Sequence, residues 1–205
     1  SRAAPAMTTV DFGKDTITDL EGSDVFNIAA AASGDITVSA NYTATSSSDN
    51  AGTADLTVSD GVTVDLSAIT TGNGFTIDAS GNASASTLTG SQLDDAITGS
   101  NAGDTIDGGG GIDTLIGGSG ADSISGDAGN DIITGGSGDD TLTGGIGSDT
   151  FNVDVGKDTI TDLSGNDVLN ISTGASGDAT VTADYTAAST TENDGGTANL
   201  DVNEG

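Results

Sequence analysis

The sequence predicts an all-β chain: a parallel, right-handed β-solenoid flanked by further β-strand-rich segments. Three observations predict it. Cut in nines from Thr89, the chain carries Asp at every seventh place, at Asp95, Asp104, Asp113, Asp122, Asp131, Asp140, Asp149, Asp158 and Asp167. Every ninth place is Ile, Leu or Phe, from Ile97 to Leu169. The stretch "DFGKDTITDLEGSDVFNI" at 11–28 recurs as "DVGKDTITDLSGNDVLNI" at 154–171, so that Asp11 answers to Asp154. Between the nonads, short alternating runs rich in β-branched residues read as strands, and helix signals are absent.

Each element follows from these patterns. Fixed-period self-similarity marks a repeat architecture, whereas a disordered low-complexity tract keeps its composition while residue identity drifts. Residues 1–8 form a tail, and 9–88 a β-rich segment holding two degenerate nonads. Residues 89–169 are the nonad tract, and 170–205 a partial second copy of the β-rich segment. The runs "DITVSANY", "ADLTVS", "VTVDLSAI" and "FTIDAS" are its strands; "SSSDNAG", "TTGNG" and "SGN" are turns. The chain is thus one module and the opening part of another, either cut from a tandem array or ending in a partial copy that acts as a cap.

Composition excludes much. The net charge is −29, with 32 acidic against 3 basic side chains over 205 residues. A nucleic-acid groove needs the opposite sign, and anionic membranes are disfavoured for the same reason. No apolar run is long enough to span a bilayer as a helix, so membrane insertion is not expected. With no Cys and no His, disulfides, thiolate or imidazole metal sites and the commonest general base are all missing. Cations that seek hard oxygen ligands remain the natural partner. No catalytic residues are assigned, because nucleophilic and acid–base mechanisms usually rest on His, Cys or Lys, and the chain is read as not an enzyme. Lys14 and Lys157, in matching "GKD" triplets, lack the remaining residues of a phosphate-binding loop and read as salt-bridge partners. Tyr42 and Tyr185 read as packed strand residues. Glu21, Asp35, Asp49, Asp55, Glu192 and Asp194 read as solvated turn positions.

The hexads Gly108–Asp113 (GGGGID), Gly117–Asp122 (GGSGAD), Gly126–Asp131 (GDAGND), Gly135–Asp140 (GGSGDD) and Gly144–Asp149 (GGIGSD) match the pattern G-G-x-G-x-D-x-U-x, with U apolar. The chain thereby resembles the repeats-in-toxin (RTX) family of calcium-binding nonapeptide repeats. The resemblance implies a calcium-stabilised parallel β-roll, in which two nonads make one coil. Stacked coils lie about 4.8 Å apart. Carboxylates one coil apart then repel by roughly 1 to 3 kcal/mol, and a cation between them reverses that sign.

In the family pattern one turn offers the main-chain oxygens of its second and fourth hexad positions with its Asp. The turn one coil later offers those of its first and third with its Asp. The implied ligand sets are Gly109, Gly111 and Asp113 with Gly126, Ala128 and Asp131; Gly118, Gly120 and Asp122 with Gly135, Ser137 and Asp140; and Asp127, Gly129 and Asp131 with Gly144, Ile146 and Asp149. Further sites extend to Asp95 and Asp104 upstream and to Asp158 and Asp167 downstream, where the hexads keep Asp but lose glycines. Asp15 and Asp24 copy these flanking nonads without a good hexad before them.

The resulting expectation is a secreted, extracellular module at the bacterial cell surface, exported without a signal peptide. It would bind calcium, fold on doing so and self-associate into an array or filament, as a surface-layer or adhesin component. The alternative is the calcium-binding appendage of a secreted protease, lipase or alginate epimerase. An ice-binding rank of Thr is interrupted by Ser123 and Ile132.

Overall fold

The computed structural model describes residues 25–172, apart from 31, 47 and the side chain of 26. Outside that range it describes the backbone of the strands Met7–Val10, Gly13–Gly22, Ser176–Tyr185, Glu192–Asn193 and Thr197–Val202. The readings of Asp24 and Asp194, and of the side chains of Lys14, Asp15, Glu21, Tyr185 and Glu192, lie outside the described residues.

Every nonad ends on an apolar residue, enough for a short strand with that middle side chain facing inward and its neighbours outward. These strands form and stack in parallel as two ladders. One runs through Phe75–Asp78, Ala96–Thr98, Thr114–Ser119, Ile132–Ser137, Thr150–Val153 and Val168–Ile171. The other runs through Thr63–Asp65, Thr87–Thr89, Thr105–Asp107, Ser123–Ala128, Thr141–Ile146 and Lys157–Gly165. The register is that of the sequence period: Leu88 pairs with Ile106, Ile106 with Ile124, Ile124 with Leu142, and Leu142 with Ile160, each a pair of nonads apart. The chain is an all-β parallel solenoid, as its periodicity predicts.

The β-rich segment before the nonads continues the same ladders with longer coils. Ser33 pairs with Thr53, Ala54 with Phe75 and Thr63 with Thr87, so each coil here exceeds a pair of nonads and no two of these are equal in length. The extra residues lie in turns that asparagine amides tie to the preceding coil. Asn73 Nδ2 donates to Gly52 O at 2.7 Å, Asn82 Nδ2 to Val58 O at 2.9 Å and Asn101 Nδ2 to Asn82 O at 2.9 Å. Two local readings are corrected: "SSSDNAG" contains the short strand Asp49–Asn50, and Glu21, Asp35, Asp49, Asp55 and Glu192 sit on strands rather than in turns. In both cases the neighbouring coil supplies pairing partners that local sequence does not reveal.

The second copy repeats geometry as well as sequence. Leu20 pairs with Val38 and Gly22 with Tyr42; at the equivalent places of the second copy Leu163 pairs with Val181 and Gly165 with Tyr185, with register irregularities at the same points.

Inside the nonad coils the interior consists of two kinds of column. Leu88, Ile97, Ile106, Leu115, Ile124, Ile133, Leu142, Phe151 and Ile160 are at most 1% exposed. The nine aspartates of the period, Asp95 through Asp167, are at most 3% exposed. Earlier coils have a thicker, apolar core that includes Leu56, Val64, Leu66, Phe75, Ile77 and the packed Tyr42, whose hydroxyl lies 3.3 Å from Ser48 Oγ.

Burial separates two isoleucines of the roll. Ile124→Ala, at 1% exposure, is expected to lower stability in calcium by about 2–5 kcal/mol. Ile146→Ala, at 80% exposure, is expected to change it by no more than about 0.5 kcal/mol. Denaturant unfolding midpoints of the two variants check the difference.

Candidate metal centre

The site begins with the glycines. At the first hexad position a Cβ on Gly117 would collide with Asp122 Oδ2, the carboxylate of its own hexad, and Gly108, Gly126, Gly135 and Gly144 stand in the same relation to their aspartates. The second position bends the chain inward with positive φ: 93° at Gly109, 113° at Gly118, 103° at Gly136 and 98° at Gly145. Asp127, the non-glycine at that place, has φ 68°, a left-handed conformation that Asp tolerates better than most residues, and Ser125 Oγ donates to its Oδ1 at 2.6 Å.

The turns so shaped bury their aspartates in a stacked column. The main-chain N–H of each Asp donates to Oδ1 of the Asp one coil later: Asp95 to Asp113 at 2.7 Å, Asp113 to Asp131 at 2.8 Å, Asp122 to Asp140 at 2.8 Å and Asp131 to Asp149 at 2.9 Å. The other oxygen has a different fate. Oδ2 of Asp113, Asp122, Asp131, Asp140 and Asp158 is buried with no hydrogen-bond partner. A buried anion without a partner carries a large desolvation penalty.

Protonation directions register that penalty. Burial, with smaller repulsion from Asp95 and Asp131, pushes Asp113 up to about 7. Burial likewise pushes Asp122, Asp131 and Asp158 to about 6, and raises Asp140 and Asp149.

The structure brings the members of each implied ligand set together across adjacent coils. In the first, Ala128 N donates to Gly109 O at 3.0 Å and Gly111 N to Ala128 O at 2.9 Å. In the second, Gly120 N donates to Ser137 O at 2.7 Å. In the third, Asp127 pairs with Gly145, Ala128 with Ile146, and Gly129 N donates to Ile146 O at 2.9 Å. A carbonyl that accepts one hydrogen bond keeps a second lone pair. Among the described residues, no three carboxylate, imidazole or thiol groups gather into one metal-holding cluster. A site here draws on two aspartates and main-chain oxygens, the hard donor set that suits calcium.

The flanking aspartates divide. Asp95 Oδ2 accepts from Ser91 N at 2.6 Å and Ser91 Oγ at 2.9 Å; Asp104 Oδ2 accepts from Ser100 N; Asp167 Oδ2 accepts from Ser164 N at 2.7 Å. Asp158 has no such donor to its Oδ2, although its hexad has lost most of its glycines. Two residues outside the predicted set also join the turns. Asp154 Oδ1 accepts from Gly136 N at 3.0 Å, and Asp162 accepts from Gly144 N at 2.9 Å and Gly145 N at 2.7 Å. A sequence signal for them existed in the acidic residues at the first two places of otherwise degenerate hexads. A further ladder joins fifth hexad positions: Asp94, Asn130 and Asp139 accept from the N–H of Ile112, Ser148 and Lys157 at 2.7, 2.8 and 2.9 Å.

These features define a parallel β-roll whose turns stack buried aspartates and main-chain oxygens between coils. Residues 80–115, 116–151 and 152–170 match the family model of the RTX calcium-binding nonapeptide repeat. Over these residues the chain carries repeats like those of that family, whose repeats are calcium-binding. No curated protein matches the chain.

Two outcomes follow from the site. Gly117→Ala drives a methyl group against Asp122 Oδ2 and is expected to weaken calcium binding by roughly ten- to a hundred-fold, the range for disturbed support of a metal ligand, as read by calorimetric titration. The aspartates raised from 3.8 to about 6 or 7 make the metal-free fold a better proton binder than the unfolded chain. Their stabilising contribution is complete below 3.8 and is lost as the pH rises through about 6 to 7. Acidifying the calcium-free chain from about pH 7.5 to about pH 5 is therefore expected to increase its strand signal in circular dichroism.

Proposed function

We propose that the chain is a secreted structural module that folds when calcium fills its roll outside the cell and then stacks into a larger surface assembly. The observation that carries the folding step is the row of buried, partnerless Oδ2 atoms on Asp113, Asp122, Asp131, Asp140 and Asp158. Without a cation these anions oppose the packed roll. With calcium they become its cross-links, and binding to the folded form alone shifts the equilibrium by mass action. Sites of the extracellular class, with affinities of about 10⁻⁴–10⁻³ M, would stay empty in a calcium-poor cytosol and fill outside. The extended, strongly acidic chain would then be the export-competent form.

Assembly rests on a separate observation. The pairing of Gly13–Gly22 with Ala32–Thr43 recurs, at the repeat distance of the sequence, in that of Lys157–Gly165 with Ser176–Tyr185. The opening coils of the second copy thus have the form of those of the first, so a further copy would continue the solenoid without a change of architecture, and repeat solenoids extend by such nearest-neighbour contacts. The ligand sets proposed are those read from the sequence, from Gly109 to Asp149, with Asp158 and Asp167 as downstream extensions. No catalytic role is proposed. Among the described residues no helix is long and apolar enough to cross a membrane.

Circular dichroism with calcium and with a chelator tests the folding step: strand content is expected to rise on adding calcium, and an unchanged spectrum would defeat it. Sedimentation after calcium addition tests assembly, with growing, concentration-dependent species expected and a monomer at every concentration counting against it.

A further inference from the structure

We propose that residues 54–104 form a metal-independent folded end of the solenoid, on which the calcium-dependent coils from Asp113 onward are templated. The proposal rests on the calcium-triggered folding argued above and divides the chain into a part that needs the ion and a part that does not.

The difference lies in how each part treats its buried groups. Within 54–104 the buried acids among the described residues are Asp95 and Asp104, and both oxygens of each are engaged. Asp95 Oδ1 accepts from Phe75 N at 2.6 Å, and its Oδ2 from Ser91 N and Oγ. Asp104 Oδ1 accepts from Ser86 N and from Ser100 Oγ at 2.9 Å, and its Oδ2 from Ser100 N. The partnerless buried side-chain atom in this stretch is Ser86 Oγ, a neutral hydroxyl whose burial costs far less than that of an anion. From Asp113 to Asp158, by contrast, five buried carboxylate oxygens lack a partner.

The interior changes at the same border. Coils before Leu88 bury several apolar side chains each, among them Leu56, Val64, Leu66, Ile69, Phe75 and Ile77. Later coils bury one per nonad together with one aspartate, until Val153 and Leu163 add a second in the last two nonads. The earlier turns are also bridged by Asn73, Asn82 and Asn101, whose amides donate to main-chain carbonyls of other coils. Hydrogen bonds and apolar contacts thus hold this end together, and both buried carboxylates already have their partners.

The two parts meet through the aspartate column. Asp95 N–H donates to Asp113 Oδ1 at 2.7 Å, and Asp104 N–H to Asp122 Oδ1 at 2.6 Å. A folded 54–104 therefore presents two fixed donors to the first two aspartates of the good hexads, setting their register before calcium arrives. Ser91 and Ser100, at the second hexad position where later turns have glycine, are the residues that close this end.

Hydrogen–deuterium exchange followed by mass spectrometry on the full chain, in chelator and in millimolar calcium, tests the division. In chelator, amides of the strands within 54–104 are expected to exchange at least about ten-fold more slowly than those of the strands within 113–158, and calcium to slow the latter. Exchange in 54–104 as fast as in 113–158 without calcium, followed by protection of both on adding it, would overturn the proposal while leaving calcium-triggered folding intact. Protection of both segments in chelator would defeat calcium-triggered folding and still support the metal independence of 54–104.

Discussion

The stacked aspartate column is the constraint from which the roll follows. From Asp113 onward each carboxylate in it has one oxygen fixed by the N–H of the aspartate one coil earlier, as between Asp122 and Asp140. That bond forms only if successive coils bring an aspartate to the same height, so coil length is held at a pair of nonads wherever the column runs. It also explains why the first hexad glycine is not replaceable by a side chain: the space a Cβ would need is taken by Oδ2. Period, glycine placement and burial of acid are one requirement seen from three sides.

Magnitudes show why a bound ion would favour such a column. Burying one Ile or Leu contributes about 1.5–3 kcal/mol, and a nonad supplies one such residue. An ion desolvated in the interior without compensation costs several kcal/mol even after relaxation. Apolar burial per nonad therefore does not outweigh an unpaired aspartate, and neighbouring aspartates such as Asp95 and Asp131 around Asp113 add repulsion. A divalent cation removes both opposing effects at once, because it supplies the missing partner and converts like-charge contacts into shared ligation. Short β-strands of glycine, serine and threonine then need little core of their own.

The nonad register was legible because identity repeats at fixed offsets: Asp at one place and an apolar residue two further on fix both coil length and the inward face. The turns that would hold calcium were legible for the same reason. The flanking segment was legible as strands but not as part of the same solenoid, since its coils differ in length from one to the next and leave no fixed period. Asp154 and Asp162 were passed over because they occupy hexad places that the pattern reserves for glycine, and their acceptor role depends on N–H groups one coil away. Nor could the sequence separate Asp158 from Asp167. Both keep the aspartate and lose glycines, yet Ser164 reaches Asp167 Oδ2 while Asp158 Oδ2 is left without a hydrogen bond.

The second hexad position separates the upstream aspartates, Asp95 and Asp104, from Asp113 and Asp140. Where serine stands there, its N–H turns to the aspartate of its own hexad, as Ser91 does to Asp95 and Ser100 to Asp104. Where glycine stands with positive φ, the N–H is directed elsewhere: Gly109 to Asp107, Gly136 to Asp154 and Gly145 to Asp162. The hexad aspartate then loses its nearest local donor. Glycine at this place is thus more than a permissive residue for a tight turn. By withholding a hydrogen bond that serine gives, it leaves Oδ2 of Asp113 and Asp140 buried without a partner, whereas Asp131 and Asp158 reach the same state with Asp127 and Asp154 at that place.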